Sequence, residues 1–381
     1  MNKTYRELRD EKCITQIREI SRELPQACGD FLRSIAMTTS ALTRLAYAID
    51  LSTFFHFLQL ERVAFSQKAL YLMNDQDLEM LTQSDLTAYT EYLTFYYKSE
   101  SADDPDETMK PMVNHALSIK RKLCSIRSFY DFLFRQQRIK SNIPQLVDLP
   151  KVLEKPIIRL EREEMEKILS IAETGESLTD HQKLYQKRTA KRDYAILSLF
   201  LGTGIRVSEL VGMNLTDIDL DTNAFVVTRK GGNQVVLYFP PEVAESIAEY
   251  LEERETVTPL EGHEDALFLS LQKRRITQRA VQMLVKKYAA YAAPLKTRIS
   301  PHKLRSTYAT NLYHATGDIY LVADMLGHSS VDTTRKHYAD MTDRRRRMAA
   351  DSVVLPPRQG ADTSVDESAT PLPDDSGNEK N

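Results

Sequence analysis

The most informative segment of the chain reads Gly202-Thr203-Gly204-Ile205-Arg206-Val207-Ser208-Glu209-Leu210. The mostly apolar residues 194–201 before it predict a helix, which the two glycines interrupt. Apolar residues resume after Arg206 and predict a second helix over Val207–Val211. An arginine therefore stands between a glycine-containing turn and the start of a helix. Taken alone, an arginine in that position is more often structural than functional.

Three further motifs follow in order. The first is Pro301-His302-Lys303-Leu304-Arg305, the second is Leu326-Gly327-His328, and the third is Tyr338, ten residues beyond His328. His302 and Arg305 are three residues apart, so a helix would place both side chains on one face. Before these motifs the sequence predicts two strands, Ala224–Thr228 and Val235–Phe239. Residues 230–233 form the turn between them, with Lys230 at a basic hairpin tip and Arg229 directly before it.

In this combination the sequence resembles the tyrosine recombinase family, which includes phage integrases and Xer-like enzymes. The family shows an arginine in a Gly-x-Arg-x-Ser-Glu-Leu setting, then His-x-x-Arg, then Leu-Gly-His, then a nucleophilic tyrosine. The resemblance covers about Ile157–Ala350 and extends to Arg121–Tyr130, which is similar to the last helix of the family's core-binding domain. Each motif alone is weak evidence, but four in the same order are specific.

The resemblance implies a metal-free phosphoryl transfer without a cofactor, in which guanidinium groups stabilise the charge on the phosphate oxygens. It implies that the phosphate is held by Arg206 and Arg305, and that two histidines add donors or take the proton of the nucleophile. A lysine in the hairpin turn would protonate the leaving 5′ oxygen; Arg229 competes for that role, but its high pKa makes it the worse proton donor. Tyr338 would attack and form a 3′-phosphotyrosine ester. The implied catalytic residues are Arg206, Lys230, His302, Arg305, His328 and Tyr338.

Some neighbouring residues depart from the family pattern or compete for a role. Ser306 stands where many relatives have a second histidine, and His337 directly precedes Tyr338. Tyr308 and Tyr313 are alternative nucleophiles, but they share the helix of Arg305 and are expected to be packing residues. The resemblance also places Glu209 beside the Arg206 guanidinium, where it would orient that group.

We expect a fold that is mainly α with a small antiparallel β-sheet: an all-α amino-terminal core-binding (SAM-like) domain and an α+β catalytic domain. Three prolines between 144 and 156 predict an extended linker. Residues after Leu355 are rich in Pro, Asp and Ser, a composition typical of disorder. The expected boundaries are an extension over 1–35, the core-binding domain over 36–150, the linker over 151–157, the catalytic domain over 158–355 and an acidic tail over 356–381.

The most regular predicted helix spans about Leu117–Gln137. Its apolar residues step by three and four, which makes one buried face. Basic residues lie mostly off that face, and two interpretations stay open: an ordinary solvated helix surface, or a surface that touches DNA phosphates. The candidate DNA-binding residues are Lys120, Arg121, Lys122 and Arg127.

Composition restricts the setting of the protein. The formal net charge is −3, and six acids against two bases in residues 356–381 give that tail −4. A nearly neutral body with local basic clusters is compatible with DNA binding. Three widely spaced cysteines suggest neither a zinc site nor a disulfide framework, so we expect a reduced, cytoplasmic protein. We predict neither a signal peptide nor a membrane span.

The implied partner is double-stranded DNA with paired recombination sites, bound by a homotetramer that exchanges strands through a Holliday junction. An accessory DNA-bending protein is a further candidate partner.

Residues 1–35 are too few for the β-rich arm-binding domain of many phage integrases, which favours a Xer-like or simple mobile-element recombinase. Two alternatives remain: a type IB topoisomerase, and a DNA-binding protein that has lost catalysis. Residues 341–350, with four consecutive arginines, would either dock on a neighbouring protomer or meet DNA phosphates.

Overall fold

The structure is a computed structural model that describes residues 5–98, 110–152, 158–229, 232–296 and 298–327. The chain divides into two units, Met1–Ser306 and Thr307–Asn381. The described residues are mostly helical, with small antiparallel sheets, which confirms the predicted fold class. No helix among the described residues is both long and apolar enough to cross a lipid bilayer.

The amino-terminal part is built from helices around one hydrophobic cluster, which draws its buried residues from Cys13 to Ile139. Residues 5–34, predicted as an extension, form two helices whose apolar side chains enter this cluster. The Phe31 ring lies 5.7 Å from that of Phe129, edge to face. The helices are α1 Tyr5–Glu23, α2 Gln26–Ser34, α3 Ala41–Glu61, α4 Val63–Ser66, α5 Asp75–Glu79, α6 Gln83–Thr94 and α7 Ala116–Arg135.

Local sequence signals explain where several of these helices begin. The Ser40 hydroxyl accepts a hydrogen bond from the Thr43 N–H at 3.2 Å, so Ser40 caps α3. Thr82 and Asp85 cap α6 reciprocally.

Charged pairs then fix the helices to one another. Arg138, after α7, bonds Asp30 of α2 and Asp75 of α5 at 2.7–2.9 Å.

The amino-terminal half also contains an antiparallel strand pair that the sequence did not predict. Strand β1, Phe95–Lys98, directly follows α6 and pairs with β2, Lys110–Val113. The Asn114 amide donates to the Leu93 carbonyl at 2.9 Å and holds the two ends of the pair together. The polar residues between the strands, 99–109, lie outside the described residues.

The second half combines helices with a three-stranded antiparallel sheet, in the order β3-β4-β5. The predicted hairpin is confirmed, with β5 beginning and ending one residue earlier than expected. The strands are β3 Ile218–Asp219, β4 Ala224–Thr228 and β5 Gln234–Tyr238. The helices are α8 Arg162–Thr174, α9 Asp180–Gln186, α10 Ala190–Thr203, α11 Val207–Gly212, α12 Pro241–Glu255, α13 Gln278–Ala292, α14 Pro301–Thr316 and α15 Ile319–Leu326.

Helix α10 is the most deeply buried element of this half, and α8 and α12 pack against it. Its Asp193 is only 1% exposed and accepts hydrogen bonds from the Tyr288 hydroxyl at 2.8 Å and from Arg192 Nη2 at 2.7 Å. Because Tyr288 belongs to α13, this carboxylate ties α13 to α10. A buried carboxylate needs such partners, since burial without them costs several kcal/mol.

The described part of the second unit is a small helical cluster. Ala309 and Tyr313 pack against Val322 and Leu326. Asp318 caps α15 by accepting from the backbone N–H groups of residues 320 and 321. Gly327 ends that helix in the left-handed conformation, at φ +57°.

Candidate active site

A glycine turn positions Arg206. Helix α10 ends at Thr203, and Gly204 adopts φ +63°, which costs glycine little and other residues about 1 kcal/mol or more. The Gly204 N–H donates to the Phe200 carbonyl at 3.0 Å and closes the helix end. The chain then reverses, and Arg206 occupies the cap position of α11. The turn after α10 therefore places Arg206 at the amino-terminal end of α11.

Glu209 holds that arginine in place. One carboxylate oxygen accepts from the Arg206 backbone N–H at 2.9 Å, and the other accepts from Arg206 Nη1 at 2.8 Å. The Glu209 side chain is 5% exposed, whereas the Arg206 side chain is 31% exposed. The predicted contact between Glu209 and the guanidinium is confirmed. The buried carboxylate therefore fixes the position of the Arg206 guanidinium, while part of that guanidinium stays exposed.

Arg305 reaches the same turn from a distant part of the sequence. It lies in the first turns of α14, is 6% exposed, and donates from Nη1 to the Gly204 carbonyl at 2.5 Å. His302 lies in the same helix, as its spacing predicts, and is exposed. The structure thus brings two of the predicted arginines to one glycine turn although 99 positions separate them in the chain. Two fixed guanidiniums at one turn can bind a phosphate diester.

The hairpin turn lies between Arg229 and Asn233. The Arg229 N–H donates to the Asn233 carbonyl at 2.8 Å, and the Gly232 N–H donates back to the Arg229 carbonyl at 3.0 Å. Gly232 has φ +94°, a conformation that glycine adopts without strain. Lys230 lies outside the described residues, and so do His328 and Tyr338.

The alternative tyrosines have packing roles. Tyr313 is 9% exposed within the cluster of the second unit, and Tyr308 packs against that cluster. The Ser306 hydroxyl donates to the His302 carbonyl at 3.0 Å, one turn back in α14. These placements agree with the expectation that Tyr308 and Tyr313 are packing residues.

Three of the four candidate DNA-binding residues of α7, namely Arg121, Lys122 and Arg127, have partners within the protein. Asp50 of α3 is fully buried and accepts from Nη1 and Nη2 of Arg121, from Lys122 Nζ at 3.2 Å and from the Ser125 hydroxyl at 2.7 Å. The Lys122 side chain is only 8% exposed, whereas that of Arg121 is half exposed. The contacts of Lys122 favour the structural interpretation of this part of the basic helix.

Arg127 also bonds within the protein. Its Nε donates to the Pro144 carbonyl at 3.0 Å, and Nη2 donates to the Val147 carbonyl. These bonds hold the chain after α7, including a short 3₁₀ helix over Ile143–Leu146, against that helix. Lys120 is half-buried. Sequence reasoning missed Asp50, although an acid between Leu45, Leu51 and Phe54 on a mostly apolar helix is a signal that a buried cation must lie opposite.

Comparisons with known proteins place the chain in a family. Residues 159–345 match the phage integrase family. The chain is 35% identical over 340 residues to the tyrosine recombinase XerC of Caldanaerobacter subterraneus subsp. tengcongensis, with 87% of each chain covered. It is 32% identical over 301 residues to the tyrosine recombinase XerD of Oceanobacillus iheyensis, covering 76% of this chain and 93% of that one.

A solved structure has the same fold. The Tn1549 transposon integrase, residues 82–397 in complex with circular intermediate DNA, superposes with a TM-score of 0.58 at 19% identity. The match covers 84% of this chain and 98% of that one. The chain belongs to the tyrosine recombinase family, as its motifs predict. It is a site-specific DNA recombinase, and the 3′-phosphotyrosine mechanism is general to that family.

Proposed function

We propose that Arg206 and Arg305 together bind the scissile phosphate of a DNA strand and stabilise the charge that builds on its non-bridging oxygens. The observation that carries this proposal is the hydrogen bond from Arg305 to the carbonyl of Gly204, two residues before Arg206. Preorganised donors of this kind each contribute about 3–4 kcal/mol to a transition state. The Glu209 contact supports the same role, because it removes the need to reorient Arg206 during the reaction.

In the proposed reaction the Tyr338 phenolic oxygen attacks phosphorus while the bond from phosphorus to the 5′ oxygen breaks. The products are a 3′-phosphotyrosine ester and a free 5′-hydroxyl. His302 and His328 donate to the phosphate or take the proton of Tyr338. Lys230 gives a proton to the 5′ oxygen, and Arg229 is the competing candidate at the same turn. Attack by the 5′-hydroxyl of another strand reverses these steps and needs no ATP, because the ester retains the bond energy.

The proposed assembly is a homotetramer on duplex DNA with paired recombination sites, together with an accessory DNA-bending protein. The Tn1549 relative is a complex with circular intermediate DNA, which supports a duplex partner here. We propose residues 36–150, with α1 and α2 packed into their core, as the DNA-binding domain. We propose 151–157 as the linker, 158–355 as the catalytic domain and 356–381 as an acidic tail. Within 36–150 the exposed Arg121 and the half-buried Lys120 are better placed for phosphates than Lys122 and Arg127.

The proposed location is the cytoplasm. All three cysteines are free, and both Cys13 and Cys28 are buried in the amino-terminal core. Free thiols are what a reducing compartment maintains.

The proposed function is tested by trapping the covalent intermediate. Binding sites are first selected from random duplexes, and a nick next to the cleavage position then prevents religation. We expect wild type to form a denaturant-resistant protein–DNA adduct, Tyr338→Phe to form none, and the control Tyr308→Phe to retain it. If wild type and Tyr338→Phe both formed no adduct, the proposed function would be wrong.

A further inference from the structure

A cationic groove lies on the amino-terminal helices, away from the residues discussed above. It is a cleft of about 760 Å³ between α1, α2 and the start of α3. Its apolar lining includes the buried Ile17, Leu24 and Leu32 and the exposed ring of Tyr71. Four arginines complete it, and we call the whole the arginine groove: Arg18, Arg22, Arg33 and Arg44.

Most of this positive charge is unneutralised within the described part of the chain. Arg33 bonds Asp30 at 2.5 Å, but no ion pair with a described residue involves Arg18, Arg22 or Arg44. The Arg44 Nε is buried and has no hydrogen-bond partner. A buried donor without a partner destabilises the protein, and an acidic group that entered the groove would offer the Arg44 guanidinium an acceptor. The apolar lining distinguishes the groove from a pure phosphate-binding surface, because protein–DNA interfaces are strongly polar.

A complementary surface exists on the same molecule. Helix α12 carries Glu242, Glu245, Glu249 and Glu252, all exposed. Their spacing of three, four and three puts them on one stripe about 15 Å long, which we call the glutamate ridge. Among the described residues the ridge has one ion pair, a distant one of 3.8 Å between Lys191 and Glu252. Like charges in a row repel one another, and a cationic partner would relieve that repulsion.

We propose that the arginine groove of one protomer receives the glutamate ridge of a second copy of this chain. Groove and ridge are different surfaces of one molecule, so the contact is head-to-tail, a type that closes into a ring when the rotation permits. The contact would be the interface between neighbouring protomers of the proposed homotetramer. This inference rests on the proposed function only for the number of protomers. Arginine and tyrosine in a partly apolar groove are the residue types that dominate protein–protein contacts.

The test combines disulfide trapping with charge reversal. Ser21 lines the groove and Ala248 lies within the ridge. Protein with Ser21→Cys, carrying an affinity tag, is mixed with untagged protein carrying Ala248→Cys, and the mixed disulfide is measured on a non-reducing gel. The control replaces the second protein with Ser170→Cys, which is exposed on α8. We expect the groove and ridge cysteines to couple about ten times faster than the control pair.

Charge reversal then identifies the cause. Arg18→Glu with Arg22→Glu, or Glu245→Arg with Glu249→Arg, should each lower the coupling rate about tenfold. Reversing the groove on one protein and the ridge on the other should restore it. Lys12→Glu with Lys167→Glu, which changes the same charge at exposed positions elsewhere, should have no effect.

Equal coupling of the test and control pairs, or no restoration when both charges are reversed, would overturn the proposal. A loss of binding to single DNA sites with unchanged coupling would instead identify the groove as a DNA contact, which also overturns it. Adduct formation by Tyr338 on a single nicked site is measured in parallel. It reports on the proposed function independently, because a single protomer on a single site has no second copy to contact.

Discussion

Arg305 donates a hydrogen bond to the carbonyl oxygen of Gly204 at 2.5 Å, so the first turns of the helix that begins at Pro301 are fixed to the turn that presents Arg206. The bond joins the side chain of one motif to the backbone of the other. The position of Arg305 therefore depends on the glycine turn, and the same turn determines the position of Arg206.

This bond predicts that lysine cannot replace Arg305. A lysine has one compact ammonium group, whereas a guanidinium can hold the Gly204 carbonyl and a phosphate oxygen at the same time. We expect Arg305→Lys to slow adduct formation on the nicked duplex by about a hundred- to a thousandfold, while DNA affinity changes little. His314→Gln, exposed near the other end of α14, is the control. A variant rate within a few-fold of wild type would contradict the proposed role of Arg305.

Glu209 is predicted to act as a positioning residue. Glu209→Gln keeps the shape but loses the charge, and an amide has only one oxygen for the two hydrogen bonds that Arg206 donates. We expect adduct formation to slow about tenfold, with unchanged affinity for the selected duplex and a loss in stability of about 1 kcal/mol. The two effects are separated by measuring the rate well below the unfolding temperature. An unaltered rate would mean that Arg206 holds its position without the carboxylate.

The buried Asp50 predicts a large effect on stability without an effect on chemistry. Asp50→Ala leaves the Lys122 ammonium buried without its carboxylate, which should lower the free energy of unfolding in urea by about 3–5 kcal/mol. Adding Lys122→Met should recover much of the loss, since the orphaned charge is then removed. Glu166→Gln, which breaks an exposed ion pair on α8, should change stability by about 0.5 kcal/mol or less. No recovery in the double variant would argue against the Lys122 contact.

The amino-terminal core predicts a loss of stability at alkaline pH. Burial raises the pKa of the Cys28 thiol well above its ordinary value of 9.0, and burial likewise raises the pKa values of the Tyr89 and Tyr130 phenols. These groups stay protonated in the folded protein and ionise more easily in the unfolded chain. Their contribution is therefore fully present below the unfolded pKa values and is lost as the pH rises above about 9–10.

The measurement is urea unfolding at a series of pH values, with a slope of up to about 1.4 kcal/mol per pH unit for each group. Tyr130→Phe should make the decline less steep, although it also removes the hydrogen bond from Tyr130 to the Leu78 carbonyl. A stability that stays level through this range would show that the buried groups ionise in the folded protein.

Periodic elements and the local turn were predictable from the sequence. Helix α7 follows from its apolar spacing, and the β4–β5 hairpin follows from the glycines at 231 and 232. The pairing of Arg206 with Glu209 was predictable because the two lie three positions apart and the family motif contains both. All of these features depend on residues that are close together in the sequence.

What the sequence did not reveal depends on distant contacts. The burial of Lys122 is set by Asp50, 72 positions earlier, and the contact of Arg305 with Gly204 spans 101 positions. Helix α1 is rich in charged residues, which hid its apolar face. Residues 1–35 were therefore predicted as an extension and not as part of the core. The β1–β2 pair was missed because its residues alternate weakly and a polar segment separates them.

The amino-terminal cluster has a consequence for how the chain folds during synthesis. Its buried residues all lie between Cys13 and Ile139, so the first core can close while most of the catalytic half is still untranslated. Domains commonly fold in that order as the chain leaves the ribosome. We therefore expect Arg206, Arg305 and Tyr338 to join a helical half that has already folded. The residues proposed for catalysis are the last of the three groups to be synthesised.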